Sequence, residues 1–140
     1  EAGRGVKGKT VADSIVAAAR EISETTDIKA IACFTFSGTT ASLTARERPR
    51  VPIIALTANI DTARRLSLTW GTNCVITGPV DRFKMAVVAA VRAAVSQGFA
   101  EEHDQIAVTA GVPFNQAGTT NILRVAPCEE RLIFKSEPDS

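Results

Sequence analysis

Apolar and polar positions along this chain change period several times, and each change marks an element. Residues 10–25 carry Val11, Ile15, Ala18, Ala19 and Ile22 on one helical stripe, with Thr10 and Asp13 spaced as a capping box at its start. The run fades at Thr25-Thr26-Asp27, residues that form helix poorly. Residues 29–36 are then almost continuously apolar, which fits a strand buried on both faces. The run breaks at Ser37-Gly38-Thr39-Thr40 and resumes as a helix over 38–47, ended by Pro49. A second strand, 53–57, follows Pro52. Asn59 caps a helix carrying Ala63, Leu66 and Leu68 that stops at Gly71. A short third strand covers 73–77, and after Gly78-Pro79 Asp81 caps the longest helix. Phe83, Val87, Ala90, Val91 and Ala94 form the apolar face of that helix, and Gly98 closes it. Strands at 105–110 and 120–126 flank a loop over 111–118.

This order predicts an α/β fold, a three-layer αβα sandwich on a mostly parallel five-stranded sheet. The loop before the last strand is too short for a crossover helix, so that strand should run antiparallel at an edge. The domain occupies 10–127, after a lead-in over 1–9 and before a charged tail over 128–140. At 140 residues the chain is one domain, enough to bury about 68–70% of its unfolded surface.

Charge changes the picture by exclusion. The net charge is +1 with no basic cluster, so neither nucleic acid nor a membrane surface is an expected partner. No apolar run approaches the ~20 residues that span a bilayer. Three well-separated cysteines (Cys33, Cys74, Cys128), one histidine and no tyrosine argue against metal and histidine chemistry. The thiols are expected to be buried and reduced, in a cytoplasmic protein. His103, among carboxylates at 101–104, is expected to be a solvated loop residue.

The chemistry concentrates in the turn. A strand, a small-residue turn and a helix start place unpartnered N–H groups and the helix dipole beside the hydroxyls of Thr35, Ser37, Thr39 and Thr40. Gly38 lets a ligand approach the backbone. That is a seat for an anion, most plausibly phosphate, though the same residues would serve if Ser37 only capped a helix. The turn and the loop containing Gly111, Pro113 and Gly118 both open at the carboxyl ends of strands, where ligands bind in such sheets. Ser37 lacks the glycine two positions earlier that a nucleophile elbow needs, which argues against a hydrolase.

The segments AIACFTFSGTTASLTARERPRVPIIALT, ARRLSLTWG and GVPFNQAGTTNILRV, in that order and spacing, resemble the C-terminal domain of pyruvate kinase over roughly residues 13–126. The resemblance implies a five-stranded α/β unit that binds an allosteric effector, a sugar phosphate or nucleotide, and contributes to subunit contact. It maps the effector's phosphate onto Thr35, Ser37, Gly38, Thr39 and Thr40, and the covering loop onto 111–118, including Gly111, Pro113 and Gly118. It implies phosphoryl transfer from phosphoenolpyruvate to ADP, with magnesium and potassium, in a barrel domain of the same polypeptide. No catalytic or metal residue and no cofactor is expected in this chain, which should be inactive alone, and the missing initiating methionine favours a fragment. A free-standing α/β phosphometabolite-binding protein is the alternative. Relatives that respond to fructose bisphosphate carry basic residues where this chain has Phe36 and Thr39, and an arginine where it has Gln97. A monophosphate is therefore the expected effector. A homodimer through the strand at 120–126 is the expected assembly.

Overall fold

The computed structural model describes residues 10–69, 71–112, 114, 120–129 and 131, so the lead-in at 1–9 and most of the tail lie outside the described residues. Within them the elements are α1 (Val11–Thr25), β1 (Ile31–Phe34), α2 (Thr39–Arg46), β2 (Ile53–Thr57), α3 (Ile60–Leu66), β3 (Thr72–Ile76), α4 (Phe83–Ser96), β4 (Gln105–Gly111) and β5 (Thr120–Pro127).

Two helices start on the side-chain chemistry their sequences offer. Thr10 Oγ1 accepts the Asp13 N–H at 3.1 Å while the Asp13 carboxylate accepts the Thr10 N–H at 3.0 Å, satisfying two orphan donors at once. Asn59 Oδ1 accepts the Thr62 N–H at 3.0 Å at the start of α3. The start of α4 differs from expectation. Its N-cap is Arg82, in extended conformation and with no side-chain cap bond, and the Asp81 carboxylate lies 3.5 Å from the Arg82 guanidinium instead. Burial holds this helix rather than its cap: Ala86, Val87, Ala90, Val91, Ala93 and Ala94 are all buried.

The sheet order is β3-β2-β1-β4-β5. The first four strands are mutually parallel and β5 is antiparallel to β4 at the edge. Alternation along the strands sorts the core into two clusters. Ala30, Ala32, Ile54, Leu56, Ile106 and Val108 pack under α4. Ile31, Cys33, Ile53, Ala55 and Ala107 meet Ala19 of α1, Ala41 of α2 and Leu66 of α3 on the other face. That is the expected three-layer sandwich. Fully burying each aliphatic side chain contributes about 1.5–3 kcal/mol, and the alanines let helix and sheet approach closely.

Two apolar residues that the spacing assigns to helix faces, Val11 and Leu68, stand outside this core. Val11 is 63% exposed, because the buried stripe of α1 runs through Ala12, Val16, Ala19 and Ser23, about 100° around the helix from the Val11 position. Leu68 is 88% exposed, since α3 ends at Leu66 and leaves it in the following turn. No helix among the described residues is long and apolar enough to cross a membrane.

The topology places a crevice beside the turn after β1. The chain leaves β1 towards β2 on one side, and β4 arrives on the other. The crevice at the carboxyl ends of β1 and β4 is therefore a topological switch point. The turn after β1 starts there, and β4 ends there at Gly111.

Candidate functional site

The turn after β1 is held from within. Thr35 is 5% exposed, and its Oγ1 accepts the Gly38 N–H at 2.8 Å. Gly38 is the N-cap of α2 at φ 95°, a conformation that a side chain adopts only with strain. Ser37 is thus not the cap residue. Its Oγ lies 2.9 Å from Thr39 Oγ1 and only weakly engages the Thr39 N–H, at 3.4 Å. With no side-chain cap bond at Gly38, the first-turn amides of α2 lie at the positive end of the helix dipole.

The structure brings all five predicted turn residues together and divides their work. Ser37 and Thr39 present hydroxyls to solvent, with Ser37 partly and Thr39 largely exposed. Thr35 and Thr40 are buried and organise the turn. The Thr40 hydroxyl bonds the hydroxyl of Thr120, the first residue of β5, and the Thr40 carbonyl accepts the Thr44 hydroxyl at 2.8 Å. The turn is therefore tied directly to the edge strand.

On the β4 side, Gly111 ends the strand with a register irregularity at Ala110/Gly111. Asn121, which the sequence did not single out, grips Val112 at both ends: Oδ1 accepts the Val112 N–H at 3.1 Å and Nδ2 donates to its carbonyl at 2.8 Å. This clamp closes the base of the loop. Phe114 meets Phe34 edge to face with ring centroids 5.7 Å apart. Pro113 and Gly118 lie outside the described residues.

Arginines are the main addition to the sequence reading. Arg65 of α3 donates from Nη2 to the Ser37 carbonyl at 3.1 Å and to Thr62 Oγ1 at 3.2 Å; Thr62 in turn donates to the Phe36 carbonyl at 3.0 Å. A cleft of about 670 Å³ runs between α2 and α3, lined by Ser37, Thr39, Arg46, Arg48, Arg65 and Thr69 among others, and none of the described residues lining it is a carboxylate. The turn is therefore not poor in positive charge. Gln97 is the C-cap of α4, and α4 returns the chain to the amino ends of the parallel strands, away from the turn. Its identity carries no weight for a monophosphate.

Other chemistry is sparse. His103 precedes β4, at the opposite end of that strand from the turn, with its side chain 83% exposed near Glu102. It cannot activate Ser37. Burial pushes the Cys33 thiol up, against the opposing hydrogen bonds of Thr44 and Thr109; burial also raises Cys74 and Cys128, the latter with help from the Asp104 charge. Among the described residues no group of three or more His, Cys, Asp or Glu could hold a metal ion.

Comparison with known proteins follows the same lines. A family model described as "Pyruvate kinase, alpha/beta domain" matches residues 13–126. A pyruvate kinase of Agrobacterium vitis is 45% identical over 112 residues, covering 80% of this chain and 24% of that protein. One from Geobacillus stearothermophilus is 36% identical over 116 residues, covering 83% and 20%. The solved structure of Cryptosporidium parvum pyruvate kinase in complex with ADP matches with a TM-score of 0.78 at 26% identity, over 87% of this chain and 24% of that one. The chain thus spans about a quarter of the length of these relatives.

Proposed function

Since the chain belongs to the pyruvate kinase family, matching its α/β domain over residues 13–126, we propose that it is the effector-binding and subunit-assembly unit of a longer enzyme. In this reading, phosphoryl transfer from phosphoenolpyruvate to ADP belongs to a barrel domain elsewhere in the polypeptide, and the present residues regulate it. The effector is a phosphorylated small molecule. Its phosphate sits on the turn, against the first-turn amides of α2 and the hydroxyls of Ser37 and Thr39, with Arg65 beside them. Thr35 and Thr40 hold that geometry, and the segment from Gly111 through Pro113 to Gly118 covers the ligand.

The observation that carries this reading is the left-handed Gly38 at a topological switch point, which opens a helix start without a capping side chain. Assembly rests on β5. The Ala107 N–H donates to the Ala30 carbonyl just before β1, so Ile106, Val108 and Ala110 address β5 instead. Their partners Ala126, Arg124 and Ile122 turn inward, which leaves the N–H groups of Leu123 and Val125 at the free edge. Such an edge pairs with a second copy.

Calorimetry on the 140-residue chain tests the effector reading. AMP, ribose 5-phosphate or glucose 6-phosphate should bind while adenosine, ribose and glucose do not, and inorganic phosphate should compete. Equal behaviour of phosphorylated and unphosphorylated ligands would overturn it. The same chain given phosphoenolpyruvate, ADP and magnesium should form no pyruvate.

A further inference from the structure

We infer that the β3 edge of the sheet is a separate self-association surface, which pairs antiparallel with β3 of another copy of this chain about a two-fold axis at Cys74. It uses neither the turn nor the β5 edge. The Thr77 N–H donates to the Thr57 carbonyl. In that parallel ladder the odd-numbered residues of β3 bond β2, and the even-numbered ones, Thr72, Cys74 and Ile76, turn their backbone groups outward. Among the described residues no strand pairs with that outer side. The Thr72 N–H is taken by the Thr69 carbonyl at 3.3 Å, which leaves the N–H groups of Cys74 and Ile76 at the edge. Pairing about Cys74 lets the two copies exchange the Cys74 N–H and carbonyl, while each Ile76 N–H reaches the other copy's Thr72 carbonyl.

Open sheet edges are ordinarily guarded by charge, proline or a bulge. The β5 edge has the exposed Arg124 and a register irregularity where β4 meets its first residue. Strand β3 has no such guard. Its register with β2 is unbroken, and residues 66–80 carry no charged side chain, in a chain that is 22% charged. The edge also matches itself. Leu68, 88% exposed, precedes the amino end of β3, and Ile76, 55% exposed, closes its carboxyl end. The two-fold sets Ile76 of each copy opposite Thr72 of the other, at the end where Leu68 lies, so the two exposed apolar residues meet between copies. The charges that bracket the run are of opposite sign, Arg65 before it and Asp81 after it. Antiparallel pairing therefore brings unlike charges to both ends of the contact, which favours a second copy as the occupant.

The test uses the 140-residue chain carrying Val125→Pro, which blocks the β5 edge, so that any remaining association lies elsewhere. Paired Cys74 residues stand about 5.5 Å apart between Cα atoms, and Cys33 and Cys128 are buried while Cys74 is partly exposed. A short bismaleimide added to a concentrated sample should therefore link two copies through Cys74, read by mass spectrometry of the digested product. Cys74→Ser should abolish the link. Ile76→Lys, which sets a charge on the edge, should reduce it at least fivefold with an unchanged melting temperature; Leu68→Lys, at a more exposed position, should do the same and decides the matter if Ile76→Lys melts lower. Sedimentation should show association that grows with concentration in Val125→Pro and is lost when either lysine is added. A Val125→Pro chain that stays monomeric, or a link that survives both lysines or runs through another cysteine, overturns the β3 pairing. Identical association of the parent chain and Val125→Pro, with the Cys74 link intact, overturns only the β5 contact.

Discussion

Replacing Thr39 by aspartate should strengthen the fold and weaken the ligand. Thr39 is the exposed first residue of α2, so a carboxylate there lies against the positive end of the dipole and adds about 0.3–1 kcal/mol of stability. The exposed Ser37–Thr39 hydroxyl contact that it removes is worth less, since both groups can turn to water. A phosphate on the same amides carries about −1.5 to −2 charges. At about 4 Å each unit pair repels by about 1 kcal/mol in water and about 4 kcal/mol at a partly sheltered site. The exposure of Thr39 favours the lower figure, so the expected penalty is about 2 kcal/mol, about a thirtyfold loss of affinity. Calorimetry with glucose 6-phosphate at low salt measures the loss, and a thermal melt of the same sample measures the gain, expected at up to about 4 °C. A variant that binds as tightly as the parent, or that melts lower, would refute the reasoning. Gly38→Asp is the poorer experiment, because at φ 95° any side chain costs about 1–2 kcal/mol and loss of binding would be confounded with loss of fold.

Three further outcomes follow from other parts of the molecule. Thr10→Ala removes one arm of the capping box and should cost about 1 kcal/mol, read as a lower denaturant midpoint with unchanged slope. Val125→Pro removes an N–H that faces the free edge and leaves the β4 ladder intact, so it should shift a dimer towards monomer in sedimentation without unfolding it; a parent chain that is monomeric at high concentration sinks the assembly reading. The raised thiols set an alkaline limit. The folded state holds these protons more tightly than the unfolded chain, so their stabilisation is complete below the unfolded thiol pKa of about 8.5 and lost as pH rises above it. Cys33→Ala should flatten that decline in melts taken between about pH 8 and 10.

Local chemistry made most of the fold legible. The Thr10–Asp13 spacing, Asn59 and the Val87–Ala94 face each specify an element within a few residues, and the continuous apolar run of β1 marks a strand buried on both faces. The resemblance to a known family pointed to the same architecture. The site was legible only where it is contiguous. Residues 35–40 announce a helix start at a strand end, but the cations beside them come from α3 and from the far end of α2, brought in by the fold. Gln97 is remote from the turn because a crossover helix carries its last residue to the opposite edge of the sheet. Asn121 looked like an ordinary strand residue, since its clamp on Val112 depends on the register across the loop.

The hydroxyl bond between Thr40 and Thr120 spans 80 positions of sequence, and this bears on the order of events as the chain folds. β5 can pair only with β4, and β4 takes its place beside β1 only after α4 has crossed the sheet. The helix start can form early from local contacts, but its tie to the edge strand closes only when nearly the whole topology is in place, against a long-range loop-closure entropy. A half-folded chain therefore has the turn without its wall. Ligand affinity becomes a gauge of completed folding, and a metabolite added during refolding should leave the early rate unchanged and draw the final step forward by mass action.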